Sequence, residues 1–285
     1  MIKNKRLYSP NMVKEIIEDY DFRFSKSLGQ NFLIDGNIVR GIVSGAGITS
    51  EDIVLEIGPG IGTLTEELAL NAKQVLAIEV DETLRPILAE TLSEFNNVEI
   101  IFQDVLKLDL EEEIRNRFGD ASIKVVANLP YYITTPIITT LLQKDINIHS
   151  LTCMVQKEVA RRMVAKENSK DYSSISVFLK YFGDGKIILD VPKSVFMPKP
   201  KIDSAVVNLE VVNRNLSVGI DQFEKVIRAS FSMRRKTILN CISKGLSLEK
   251  DEVREILSDV SIEENSRAEN ISFDQYVLLT ERIFR

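Results

Sequence analysis

Three groups of residues in this 285-residue chain are spaced for chemistry. The first is Val54-Leu55-Glu56-Ile57-Gly58-Pro59-Gly60-Ile61-Gly62-Thr63, an apolar run that breaks into G-x-G-x-G before a helical pattern. A glycine turn at the carboxyl end of a strand is where open α/β sheets bind ligands. Glycine lets the backbone turn sharply and lets a ligand approach with no Cβ in the way. The spacing is not the dinucleotide G-x-G-x-x-G, and Pro59 has no N–H to offer a pyrophosphate. A ligand without phosphate is therefore expected. The second group is a pair of acids, Glu79 and Asp104, each closing a later apolar run. At Glu79 a carboxylate can accept both hydroxyls of a ribose, and at Asp104 one can accept from an adenine amino group. Loop and acids together describe a pocket for an adenosine with a short polar tail, which S-adenosylmethionine fits.

The third group is Asn128-Leu129-Pro130-Tyr131-Tyr132. It resembles the [DN]-x-P-[YF] signature of enzymes that methylate exocyclic amino groups of bases. An adenine amino group is a poor nucleophile because its lone pair is delocalised into the ring. Acceptors aimed at its two N–H bonds favour a pyramidal nitrogen with an available lone pair. The side-chain oxygen of Asn128 and the carbonyl of Leu129 can act so. Pro130 fixes the turn and restricts Leu129 to an extended conformation. Tyr131 can stack on a base that has left its helix. With the methyl already activated on a sulfonium, alignment is the main remaining task, and no strong base or metal is required.

Strands must deliver these groups to one edge. Apolar runs at 52–58, 74–80, 98–104, 123–129 and 151–156 alternate with helical spacing at 62–70 and 81–95, which implies βαβ units and a mostly parallel sheet. Two further strands at 186–192 and 204–212 are expected as an antiparallel edge pair. A short helix is expected over 9–20, with Ser9 as its cap and Pro10 at its first position. Beyond about Asn213 the pattern turns helical. The expected organisation is an α/β class I methyltransferase (Rossmann-like) domain over 1–213 and a smaller all-α domain over 214–285.

A wider resemblance covers both domains. Lys26-Ser27-Leu28-Gly29-Gln30-Asn31-Phe32-Leu33, the glycine loop, NLPYYITTP at 128–136, QKEVARR at 156–162 and Phe196-Met197-Pro198-Lys199-Pro200-Lys201-Ile202-Asp203-Ser204-Ala205 resemble motifs of the ribosomal RNA adenine dimethyltransferases. The bacterial small-subunit members are the best match. The resemblance implies cofactor contacts at Asn31, Leu33, Gly58, Gly60, Glu79, Asp104 and Asn128. It implies reaction-site roles for Asn128, Leu129, Pro130, Tyr131 and Phe196, with Tyr131 and Phe196 sandwiching the base. It implies dimethylation of two adjacent adenosines in the 3′-terminal hairpin of 16S rRNA within the small ribosomal subunit, and a part in subunit biogenesis. Gln103-Asp104-Val105-Leu106 departs from the family's G-D-A-L but keeps the acid. Two other readings stand beside this one: a 23S rRNA adenine methylase of the macrolide-resistance type, and an assembly factor whose main duty is not catalytic.

The 36 basic and 42 acidic residues give a net charge of −6, which disfavours an indiscriminate polyanion binder. Local basic clusters are nevertheless present at Lys157, Arg161 and Arg162, at Lys193, Lys199 and Lys201, and at Arg228, Arg234, Arg235 and Lys236. From Glu249 onward the chain is mostly acidic, so a polarised surface is expected. The uncharged stretch 128–143 is too short and too rich in Thr and Pro for a membrane span. The basic start has no apolar run behind it, so no secretory signal is expected. Two cysteines far apart argue against a disulfide or zinc scaffold and suit the cytoplasm. The single histidine, His149, is expected in a loop without a metal role, and the protein is expected to be a monomer.

Overall fold

The computed structural model describes residues 6–25, 28–212 and 214–285. Lys26 and Ser27 of the first motif, most of the basic start (1–5), and Asn213 at the expected domain boundary lie outside the described residues. The strands are β1 Phe32–Leu33, β2 Ile53–Ile57, β3 Gln74–Glu79, β4 Val98–Phe102, β5 Ile123–Asn128, β6 Ile148–Gln156, β7 Gly183–Val191, β8 Phe196–Met197 and β9 Ser204–Val211. The helices used below are α1 Pro10–Asp19, α2 Gly36–Gly45, α3 Thr63–Asn71, α4 Arg85–Thr91, α5 Leu110–Phe118, α6 Thr134–Gln143, α7 Lys157–Met163, α8 Ser174–Phe182, α9 Ile220–Phe231, α10 Ile238–Leu246, α11 Lys250–Asp259 and α12 Phe273–Ile283.

The chain divides into two compact units, one formed by 1–160 with 186–211 and the other by 161–185 with 212–285. In the first unit the main sheet runs β4-β3-β2-β5-β6-β9-β7. Strands β4, β3, β2, β5 and β6 are parallel, and β9 runs antiparallel to β6. After β4 the chain returns past β2 to lay down β5, so the strand order reverses between β2 and β5. Such a reversal opens the crevice in which α/β sheets hold ligands. The register brings the relevant strand ends level: Ile57 lies opposite Ile78 and Ala127, and Glu79 opposite Phe102. Apolar faces of α2 and α3 (Val39, Ile42, Leu64, Leu68) pack on Val54, Val75 and Val126.

Local chemistry explains several boundaries. Ser9 stands at the cap position of α1 and Pro10 at its start, as expected, but the Ser9 side chain makes no capping bond. Asp35 does cap α2, accepting from the N–H groups of Asn37 at 2.8 Å and Ile38 at 3.3 Å. Helix α5 has three glutamates in its first turn and two arginines in its last, each opposing the helix dipole.

Some elements differ from expectation. His149 sits exposed within β6 rather than in a loop. The two-residue strands β1 and β8 form a separate antiparallel ribbon, with Phe32 opposite Met197 and Leu33 opposite Phe196. They are too short to leave an alternation in the sequence. In the second unit, 161–185 joins the C-terminal helices instead of standing with the first domain. Tyr172 and Val177 bury their side chains in one cluster with Phe223, Val226 and Tyr276. The Tyr172 hydroxyl also donates to the Ile271 carbonyl at 3.1 Å.

Candidate active site

The ends of β2, β3, β4 and β5 open on one cavity of about 240 Å³ in the first unit. The glycine loop forms one wall. Gly58, Gly60 and Gly62 all have positive φ (74°, 62° and 91°), a region that L side chains avoid. A Cβ on Gly60 would stand 3.0 Å from the Phe32 ring. The three glycines therefore serve the turn itself and also keep it open.

Glu79 ends β3 and is 5% exposed. Its carboxylate accepts the Gly60 N–H at 3.1 Å and the Asp81 N–H at 2.9 Å. Burial raises its pKa, and the two backbone donors act against that shift. This acid thus ties the glycine loop to the end of β3 while lining the cavity. Asp104 follows β4 and also lines it. One of its oxygens accepts the Leu106 N–H at 3.0 Å, which fixes the turn in which Val105 stands where the resembled family has Ala.

Asn128 ends β5, the strand next to β2. Its Nδ2 donates to the backbone carbonyl of Asn31 at 3.3 Å. That bond sets the amide so that Oδ1 is the free end, and Oδ1 accepts no hydrogen bond among the described residues. The Leu129 side chain is buried, and its N–H donates to the Met154 carbonyl at 3.3 Å. Tyr131 is half-buried and its hydroxyl shares a 2.7 Å hydrogen bond with Ser204. Asn31, Leu33, Gly58, Gly60, Glu79, Asp104, Asn128, Leu129, Pro130 and Tyr131 are thereby brought to a single cavity.

Phe196 is not. It is 3% exposed, lies opposite Leu33 in the β1–β8 ribbon and packs in the core with Val195 and Val206. Pairing with β1 turns its ring into the apolar interior, so the expected Tyr131–Phe196 sandwich is not formed here. Tyr132, which sequence reasoning left without a role, is instead 56% exposed on the cavity lining. Gln30, part of the motif at 26–33, also takes a role that its residue type does not announce. Its side chain donates to Asp81 at 2.6 Å and accepts the Ser25 N–H at 2.8 Å, fastening the loop that carries Asn31 to the end of β3. An amide flanked by glycine and asparagine was the one available signal.

Behind the glycine loop, Glu56 on β2 is 1% exposed, and neither carboxyl oxygen has a hydrogen-bond partner of ordinary geometry among the described residues. Burial pushes its pKa up to about 8, the nearby Glu79 adds to this, and the Thr65 hydroxyl acts the other way. A carboxyl raised on folding keeps its proton in the native state where the unfolded chain has lost it. Native stability is then lost as pH rises from about 4.5 toward about 8. Glu56→Gln is expected to remove this slope, gaining on the wild type by roughly 1.4 kcal/mol per pH unit at most. Urea unfolding at pH 5 and pH 8 measures it; parallel losses in both proteins would contradict the assignment.

The donor set suits an adenosine-based sulfonium: carboxylates stand at two strand ends, the glycine turn admits close approach, and among the described residues of the lining there is no Lys or Arg to seek a phosphate. Among the described residues no cluster of acids, His and Cys is arranged to hold a metal.

The chain matches the family described as ribosomal RNA adenine dimethylase over residues 21–284. It is 48% identical to "Ribosomal RNA small subunit methyltransferase A" of Alkaliphilus oremlandii, covering 98% of each chain. It is 47% identical to the protein of the same name from Clostridioides difficile over 96% of each. Among solved structures, a dimethyladenosine transferase from Plasmodium falciparum superposes with a TM-score of 0.74 at 26% identity, covering 87% of this chain and 95% of the other. The 23S rRNA methyltransferase ErmE superposes with a TM-score of 0.67 at 25% identity, covering 89% of this chain and all of the other.

Proposed function

Because the chain belongs to the ribosomal RNA adenine dimethylase family, and so is an S-adenosylmethionine-dependent rRNA (adenine-N6,N6)-dimethyltransferase, we propose that its substrate is the small ribosomal subunit. It dimethylates two adjacent adenosines in the 3′-terminal hairpin of 16S rRNA, acting as a cytoplasmic monomer during subunit biogenesis. The observation that carries this reading is the meeting of the glycine loop, Glu79, Asp104 and Asn128-Leu129-Pro130-Tyr131 on one cavity. The names of the relatives at 47–48% identity support the small subunit as target.

S-adenosylmethionine, when bound, supplies a methyl already activated on a sulfonium. Glu79 would accept from the ribose hydroxyls and Asp104 from the adenine amino group of the cofactor, while Gly58 and Gly60 would let it approach the backbone. The Asn31 carbonyl holds the nitrogen end of the Asn128 amide and leaves its oxygen free. Asn128 Oδ1 and the Leu129 carbonyl then accept the two N–H bonds of the target amine and free its lone pair. Tyr131 stacks on the extruded base, a contact worth roughly 1–3 kcal/mol. The amine becomes acidic as it is alkylated, so its proton passes to solvent after attack. Exposed Lys199, Lys201, Arg234, Arg235 and Lys236 remain available for phosphates, whereas Lys157 and Arg228 are already paired with Asp190 at 2.8 Å and Glu224 at 2.6 Å.

Incubation with under-methylated small subunits and radiolabelled cofactor, followed by mapping of modified nucleotides, is expected to place label on adjacent adenosines near the 16S 3′ end. Label on large-subunit RNA alone would favour the second reading, a 23S enzyme, to which the ErmE superposition gives some support.

A further inference from the structure

We infer that Ser204 is a positioning residue for methyl transfer, holding the Tyr131 ring at the angle on which the target base stacks; this rests on the reading of Tyr131 as the base platform. The two hydroxyls meet at 2.7 Å although the residues are 73 apart in sequence. Their surroundings differ in a telling way. Ser204 has no exposed surface, opens β9 and pairs in register with Gln156 of β6. The residue before it is tied down twice. The Asp203 carbonyl accepts the Lys157 N–H at 3.1 Å, and its carboxylate accepts the Lys193 N–H at 2.9 Å. The serine hydroxyl therefore stands at a point set by the sheet.

Tyr131 is on a turn, half-buried, and shares the cavity wall. A tyrosine so placed keeps freedom about its side-chain bonds unless something restrains the far end of the ring. Its hydroxyl is that far end, and a partner fixed on β9 stops the swing. The consequence is orientation. A base lying on this ring has to bring its amino group to Asn128 and Leu129, three and two residues back along the chain. A tilt of the ring carries the nitrogen out of line with its acceptors, and alignment of this kind governs the rate of a transfer step. A phenylalanine at 131 would still offer a stacking face but could not be pinned. The Ser204 hydroxyl touches neither base nor cofactor, and acts through Tyr131.

The experiment compares Ser204→Ala, Tyr131→Phe, the double variant and Tyr131→Ala, with under-methylated small subunits as substrate. A single neutral hydrogen bond corresponds to about a 3–10-fold effect. Ser204→Ala and Tyr131→Phe are each expected to lower kcat by about that factor while KM changes little. The double variant is expected to be no worse than either single one, because both remove the same bond. A merely structural serine would give additive losses and a lower thermal midpoint, and additive losses overturn the inference. Wild-type kcat in Tyr131→Phe overturns it too, even where Ser204→Ala fails to fold. If Tyr131→Ala loses most turnover while Ser204→Ala keeps it all, the platform stands and the role of Ser204 falls. If Tyr131→Ala turns over like the wild type, the platform reading fails and takes the inference with it.

Discussion

Replacing Asn128 with alanine is expected to reduce kcat at saturating cofactor by about 10²–10³-fold while leaving the fold largely in place, the scale seen when one oriented polar partner of a transition state is removed. Among the described residues the side chain donates from Nδ2 to the Asn31 carbonyl, which leaves Oδ1 as the free end. Alanine removes an acceptor that matters most as the amine becomes pyramidal, so the loss falls on kcat rather than KM. Asn128→Asp restores an acceptor but cannot donate to Asn31, and it should recover only part of the rate. Single-turnover transfer to under-methylated particles, with circular dichroism as a check on folding, decides the matter. Full activity of Asn128→Ala would exclude the amine-orienting role.

Glu79→Gln is expected to weaken S-adenosylmethionine binding by about 100-fold, as two hydrogen bonds to an anionic acceptor become bonds to a neutral amide. The substitution keeps the volume of a buried side chain, so the sheet should persist. It also disturbs the join between Gly60 and the end of β3, because Gly60 and Asp81 donate to different carboxylate oxygens and the amide keeps only one oxygen that can accept. Isothermal titration with the cofactor measures the effect, and binding unchanged within about threefold would remove Glu79 from the cofactor site. Where Asn128→Ala stays slow even at saturating cofactor, Glu79→Gln should yield an enzyme whose rate recovers at high cofactor concentration.

Much of the site was legible because its parts are local. The glycine turn, the acid at the end of each apolar run and the Asn-Leu-Pro-Tyr turn depend on backbone dihedrals within a few residues, and residue type reports those directly. The five parallel strands were legible for a similar reason, since strands buried on both faces form continuous apolar runs. The β1–β8 ribbon was not, because two residues carry no periodicity. Nor was the membership of 161–185 in the helical unit, because a segment's own pattern does not say which cluster will bury Tyr172 and Val177.

Taken alone, the amino-acid sequence determined which groups are present and in what local shape: a phosphate-averse glycine loop, two strand-end acids and an amide followed by proline and tyrosine. The tertiary structure decided which of them are neighbours. Strand order places β5 beside β2, although β3 and β4 intervene in the chain, so Asn128 faces the glycine loop. Other long-range pairings act likewise: β1 with β8 turns Phe196 into the core, and β9 with β6 fixes Ser204 where it meets the Tyr131 hydroxyl. The physical reason is that short-range dihedral preferences act through covalent connection, whereas adjacency across 70 or more residues is set by burial and ladder hydrogen bonds that form only when the sheet is assembled.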